Sequence, residues 1–159
     1  MLQFEKFTLS NGLKVLVYSD KTTPMAVVNI LYGVGARDED ENRTGFAHLF
    51  EHLMFGGSIN IPEFDTPLEK VGGENNAFTN NDITNYHITL PAQNIETAFW
   101  LESDRMLSLA FSEKSLEVQR KVVIEEFKQR YLNQPYGDAW LCLRPLAFTT
   151  HPYKWATIG

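Results

Sequence analysis

The stretch Asn75-Asn76-Ala77-Phe78-Thr79-Asn80-Asn81-Asp82-Ile83-Thr84-Asn85-Tyr86-His87-Ile88-Thr89-Leu90 reads as two strands folded about a polar turn. In the second strand, Thr84, Tyr86, Ile88 and Leu90 fall on one face by two-residue periodicity, and Asn80-Asn81-Asp82 supplies turn chemistry between the two runs. Upstream, Phe4 to Leu9 and Leu13 to Tyr18 flank Ser10-Asn11-Gly12, an Asn-Gly hairpin signal. Met25 to Tyr32, rich in Val and Ile, reads as a third strand with too few charges for an exposed element, and is expected to be central. Gly33 to Arg43 is polar, and Asp38 to Glu41 within it reads as a solvated loop.

The remaining segments are helical in period. A helix capped by Thr44 is expected to run through Phe46, His48, Phe50 and Leu53 to Gly56-Gly57, apolar on nearly every side and therefore buried. A second spans Pro62 to Val71, a third Gln93 to about Ala110, a fourth Ser112 to about Leu132, and a fifth Gly137 to about Leu146, before a terminal coil holding His151. Phe99, Trp100 and Met106 read as core, and Cys142 as a small buried hydrophobe. Strands first, then a strand pair among helices, predict an α+β fold, a mainly antiparallel sheet with helices packed on it.

At 159 residues the chain fits one domain, 1–159, and its 43% hydrophobic and 21% charged composition is that of a folded protein. A net charge of -6 argues against nucleic acid as a partner, because phosphate binders carry a Lys/Arg surplus. No stretch approaches the ~18 apolar residues of a membrane span, so no membrane partner is expected. Met1 to Phe7 has no leader pattern, which favours a cytoplasmic location with the periplasm as the alternative. One cysteine excludes an intrachain disulfide or a multi-cysteine metal site, so a metal here must use His and carboxylate.

His48-Leu49-Phe50-Glu51-His52 is the pattern with a chemistry of its own. On a helix, residues four apart stack on one face, so both imidazoles can meet one ion, and Glu51 borders that face. Zinc suits such ligands; a catalytic site keeps three protein ligands and leaves the fourth position for water, whose proton a neighbouring carboxylate can take. With this composition the pattern arises by chance in about one in a hundred chains of this length. The alternative is a pair of ordinary helix histidines, which on an apolar helix would still need partners. His87 and His151 read as surface or hydrogen-bonded residues.

HLFEH resembles the inverted zinc motif HxxEH of the pitrilysin, insulin-degrading enzyme and mitochondrial processing peptidase family, the inverzincins. Asn11 to Val15 resembles that family's opening hairpin, Gly72 to Thr79 its substrate-binding edge strand, and Arg120 to Glu126 the helix carrying its distal ligand. The resemblance implies a zinc metallopeptidase with His48, His52 and Glu126 as Zn2+ ligands, Glu51 as the catalytic base, and Asn76, Ala77, Phe78 and Thr79 at the substrate. The distal glutamate is Glu125 or Glu126, about 100° apart on a helix. The family's spacing of somewhat more than seventy residues favours Glu126, at 126−52 = 74 beyond His52, and leaves Glu125 a structural or supporting role. Many family members carry a second glutamate two turns before the ligand, where this chain has Gln119. The resemblance further implies a peptide or unfolded-polypeptide substrate, a truncated first domain, and a second homologous domain or subunit closing the chamber. A family subunit that binds polypeptide without cleaving it is the competing expectation.

Overall fold

The computed structural model describes residues 3–159; Met1 and Leu2, where the stretch read for a leader begins, lie outside the described residues. Two antiparallel sheets form. The first pairs β1 (Glu5–Thr8) with β2 (Lys14–Val17) in the register Glu5 to Val17 and Thr8 to Lys14. Its turn follows the Asn-Gly signal: Gly12 has φ 89°, and Asn11 Oδ1 accepts from Leu13 N at 3.1 Å.

The second sheet is ordered β3-β5-β4, from β3 (Met25–Tyr32), β4 (Glu74–Thr79) and β5 (Thr84–Pro91). The strand expected to be central, β3, is an edge of this sheet, and β5 takes the middle. Val28 is buried, whereas its neighbour Val27 is 62% exposed: apolar residues on both faces mimic a doubly buried strand, and here only one face is covered. Thr84, Tyr86, Ile88 and Leu90 of β5 are all buried, as the periodicity predicts. The β4–β5 turn closes on itself through Asn80 Oδ1, which accepts from Asp82 N at 2.8 Å and Ile83 N at 3.0 Å.

Five α-helices follow the predicted order with shifted bounds: α1 (Phe46–Leu53), α2 (Asp65–Lys70), α3 (Ile95–Ser108), α4 (Glu113–Phe127) and α5 (Ala139–Ala147). Helix α1 is not buried all round, since Phe46 and Phe50 are exposed. Its cap position is Gly45 rather than Thr44, and α2 starts three residues after Pro62. Ser112 caps α4 as expected, accepting from Ser115 N at 3.0 Å. The α-helix then stops at Phe127 and the last turn, Lys128–Leu132, widens to a π-helix. The segment read as a loop holds a 3-10 turn, Ala36–Asp38, and the terminal coil holds another, Pro152–Lys154.

The core is Val28, Ile61, Phe64, Leu68, Ile88, Leu90, Ala98 and Leu101, which locks α2 and α3 onto one face of the second sheet. Helix α3 turns Ala98, Leu101, Glu102 and Arg105 inward, a 3-4 stripe. That stripe places Phe99, Trp100 and Met106 on its exposed sides, contrary to their expected core role. Cys142 is also exposed, because α5 buries none of its residues.

The inward charges of α3 form a pair that hydropathy does not reveal. Arg105 donates to both Glu102 oxygens, at 2.7 and 2.5 Å, and its guanidinium lies 4.5 Å from the ring centres of Phe64 and Tyr86. Burial holds the Glu102 pKa above its ordinary 4.5, against the pull of Arg105. Arg105→Met removes that pull and leaves a buried carboxylate alone, a loss of about 3–5 kcal/mol at neutral pH. A carboxyl group with a raised folded pKa binds more protons folded than unfolded, so stability falls as pH rises through that window. The variant's deficit should therefore grow from pH 4.5 upward, as denaturant titrations across pH will report; a pH-independent deficit would contradict the assignment.

Candidate metal centre

Helix α1 is preceded by its cap residue Gly45, whose φ of 89° suits glycine, and where an added Cβ would meet Gly159 Cα at 2.9 Å. No side chain on the helix caps it. Instead Glu39, from the supposed solvated loop, accepts from Gly45 N at 2.8 Å and Ala47 N at 2.7 Å. A carboxylate thus satisfies open N–H groups at the positive end of the helix that carries the histidines.

One turn on, His48 and His52 present their Nε2 atoms 3.3 Å apart, with the rings edge to face. Glu126, near the end of α4, brings Oε2 to 3.5 Å from His48 Nε2 and 3.4 Å from His52 Nε2. Among the described residues these three form the one cluster of metal-ligating side chains. Two imidazole nitrogens and a carboxylate oxygen at these separations are three lone-pair donors pointed at one position. Tetrahedral zinc, with bonds of about 2.0–2.1 Å, needs ligand atoms roughly 3.3–3.4 Å apart, so the donor set fits that ion in type and spacing. Glu125 turns outward instead and pairs with Lys128 at 2.6 Å.

Burial lowers the His48 pKa, while Glu126 pulls it up. His48 therefore tends to the neutral form that a metal requires. Glu51 faces the same space; burial raises its pKa and a hydrogen bond from Thr79 Oγ1 lowers it. Burial is the larger of the two effects, so the net shift is upward and the carboxylate is more basic than an exposed one.

The cluster opens into a cleft of about 370 Å³. Asn76, Ala77, Phe78 and Thr79 of β4 line it, as do Arg130, Tyr131, Thr157 and Ile158. The structure so brings together every residue singled out for the site. Arg130, Tyr131, Thr157 and Ile158 were not foreseen: no motif marks them, although Arg130 stands four residues after Glu126, a spacing that places it on the same helix face. Gln119 is not among the cleft residues, and His87 and His151 are outside the cluster.

The description "Insulinase (Peptidase family M16)" matches residues 14–136. The chain belongs to that family. It is 37% identical over 158 residues to "Zinc protease PqqE" of Helicobacter pylori, covering 98% of this chain and 36% of that protein. It is 28% identical over 141 residues to "Insulin-degrading enzyme" of Homo sapiens, covering 87% of this chain and 13% of that protein. A solved structure described as "The crystal structure of a protease from Helicobacter pylori" superposes with a TM-score of 0.94 at 37% identity, over 100% of this chain and 39% of that one. The chain thus spans little more than a third of such a relative's length. Zinc is the cofactor of the M16 peptidases, and the α+β architecture is theirs.

Proposed function

We propose that this chain is the zinc-binding domain of a metalloendopeptidase that hydrolyses peptide bonds in peptides or unfolded polypeptides. The convergence of His48 Nε2, His52 Nε2 and Glu126 Oε2, with Glu51 beside them and a strand edge opposite, carries the reading. Zinc, when bound, supplies Lewis acidity that makes water a nucleophile near neutral pH. Glu51 takes the proton of the attacking water and returns it to the leaving amine, a role its partial burial favours. Among the described residues strand β4 pairs with β5 on one side only, so an extended substrate can add to its other side through backbone hydrogen bonds. Asn76 Oδ1 accepts from Ala77 N at 2.8 Å, an internal bond that a substrate carbonyl can replace.

Thr79 joins the two halves of this proposal, because it ends the substrate strand and donates to the base. Thr79→Val keeps the shape and removes the donor. A hydrogen bond to a charged group contributes about 1.5–3 kcal/mol, so kcat should fall roughly tenfold or more with zinc content unchanged. Unchanged kcat would separate Thr79 from the base.

Hydrolysis further requires a second homologous domain or subunit to close the chamber, a reading supported by the chain's one-third coverage of a zinc protease relative. Peptide hydrolysis measured with and without chelator, for this chain alone and for the longer protein, tests both statements. The expected result is chelator-sensitive cleavage by the longer protein. Chelator-resistant cleavage would overturn the proposal.

A further inference from the structure

Resting on the zinc reading above, we infer that Arg130 is a positioning residue for the Glu126 ligand, holding one carboxylate oxygen so that the other alone faces the histidines. Glu126 is divided between two sets of partners: Oε2 lies 3.5 and 3.4 Å from the two Nε2 atoms, and Oε1 lies 3.1 Å from Arg130 Nη1. A carboxylate free to rotate could offer both oxygens to an ion and so occupy the position that a catalytic site leaves for water. The guanidinium charge beside Oε1 attracts that oxygen and so favours the orientation in which Oε2 alone faces the histidines.

Backbone geometry supports the same assignment. Arg130 sits inside the π-turn Lys128–Leu132, and both Arg130 and its neighbour Tyr131 line the cleft. The return loop clamps this turn: a Cβ on Gly137 would lie 2.7 Å from Tyr131 O and 2.8 Å from Arg130 O, so the chain packs directly against those carbonyls. The adjacent cation, Lys128, is engaged by Glu125. Arg130 is therefore the Lys/Arg side chain of the cleft wall, directed at the ligand.

The competing account is an ordinary exposed ion pair at i, i+4 spacing, which would leave metal binding untouched. Arg130→Met distinguishes the two, since the side chain is 67% exposed and its loss should hardly alter the melting temperature of the metal-free protein. Zinc affinity, read by competition with a chromophoric chelator, should weaken about 10- to 100-fold, the usual effect of removing a ligand's supporting partner. Arg130→Lys should recover part of it, because a positive charge beside this oxygen is retained. Affinity unchanged or tightened in Arg130→Met would overturn the inference. His52→Ala serves as the control: if it loses zinc while Arg130→Met does not, the positioning role fails and the metal site stands. If His52→Ala binds zinc as the parent does, the metal site itself is wrong and the Arg130 role falls with it.

Discussion

Glu51→Gln will leave zinc bound and reduce peptide hydrolysis by about 10³-fold or more in the protein that carries this domain. The substitution keeps the size of the side chain and its contact with Thr79, and removes the group that accepts a proton. General-base catalysis commonly contributes 10²–10⁴-fold, which sets the expected loss. Glu51 borders the metal face without belonging to the three-donor cluster, so metal content should match the parent. Steady-state kinetics with parallel metal analysis reads both quantities. Hydrolysis surviving in the zinc-loaded variant would remove Glu51 from its role, whereas loss of zinc would make it part of the binding site.

The second large effect distinguishes two adjacent residues. Glu126→Gln removes the carboxylate that meets both histidines and should weaken zinc binding more than about 100-fold, beyond the loss expected for a supporting partner. Glu125→Gln disturbs an exposed pair with Lys128 and should leave affinity and activity within a factor of about two. The contrast arises from the helix: a turn of about 100° per residue lets only one of the two carboxylates face α1. Equal effects, or a larger one at Glu125, would place the ligand on the wrong residue.

These two residues also mark what sequence can and cannot reveal. His48, Glu51 and His52 were legible because helical periodicity alone places residues three and four apart on one face. Glu126 lies 74 residues beyond His52 and is brought there by the packing of α4 against α1, which no local pattern encodes; the family's spacing identified it. The strand pair around Asn80 was legible because alternation and turn chemistry agree. What escaped were features made by tertiary contact. Glu39 looked like one more charge in a polar loop, yet it caps the histidine helix. Glu102 and Arg105 carry no pattern that marks them as a buried pair, yet they are buried together beside Tyr86, while Phe99 and Trp100, expected in the core, point outward. Strand β3 was misplaced for a related reason, since composition reports how apolar a strand is and not which neighbours cover it. In each case a charged or apolar side chain was assigned by its own preference, and pairing or coverage by a distant element decided otherwise.

The central claim is that His48, His52 and Glu126 hold one zinc ion, and metal analysis of the purified protein under metal-replete conditions tests it most directly. The account predicts one zinc per chain, lost on His48→Ala, His52→Ala or Glu126→Gln and retained in Glu125→Gln. Absence of stoichiometric zinc in the parent protein, or its retention after the loss of either histidine, would contradict it.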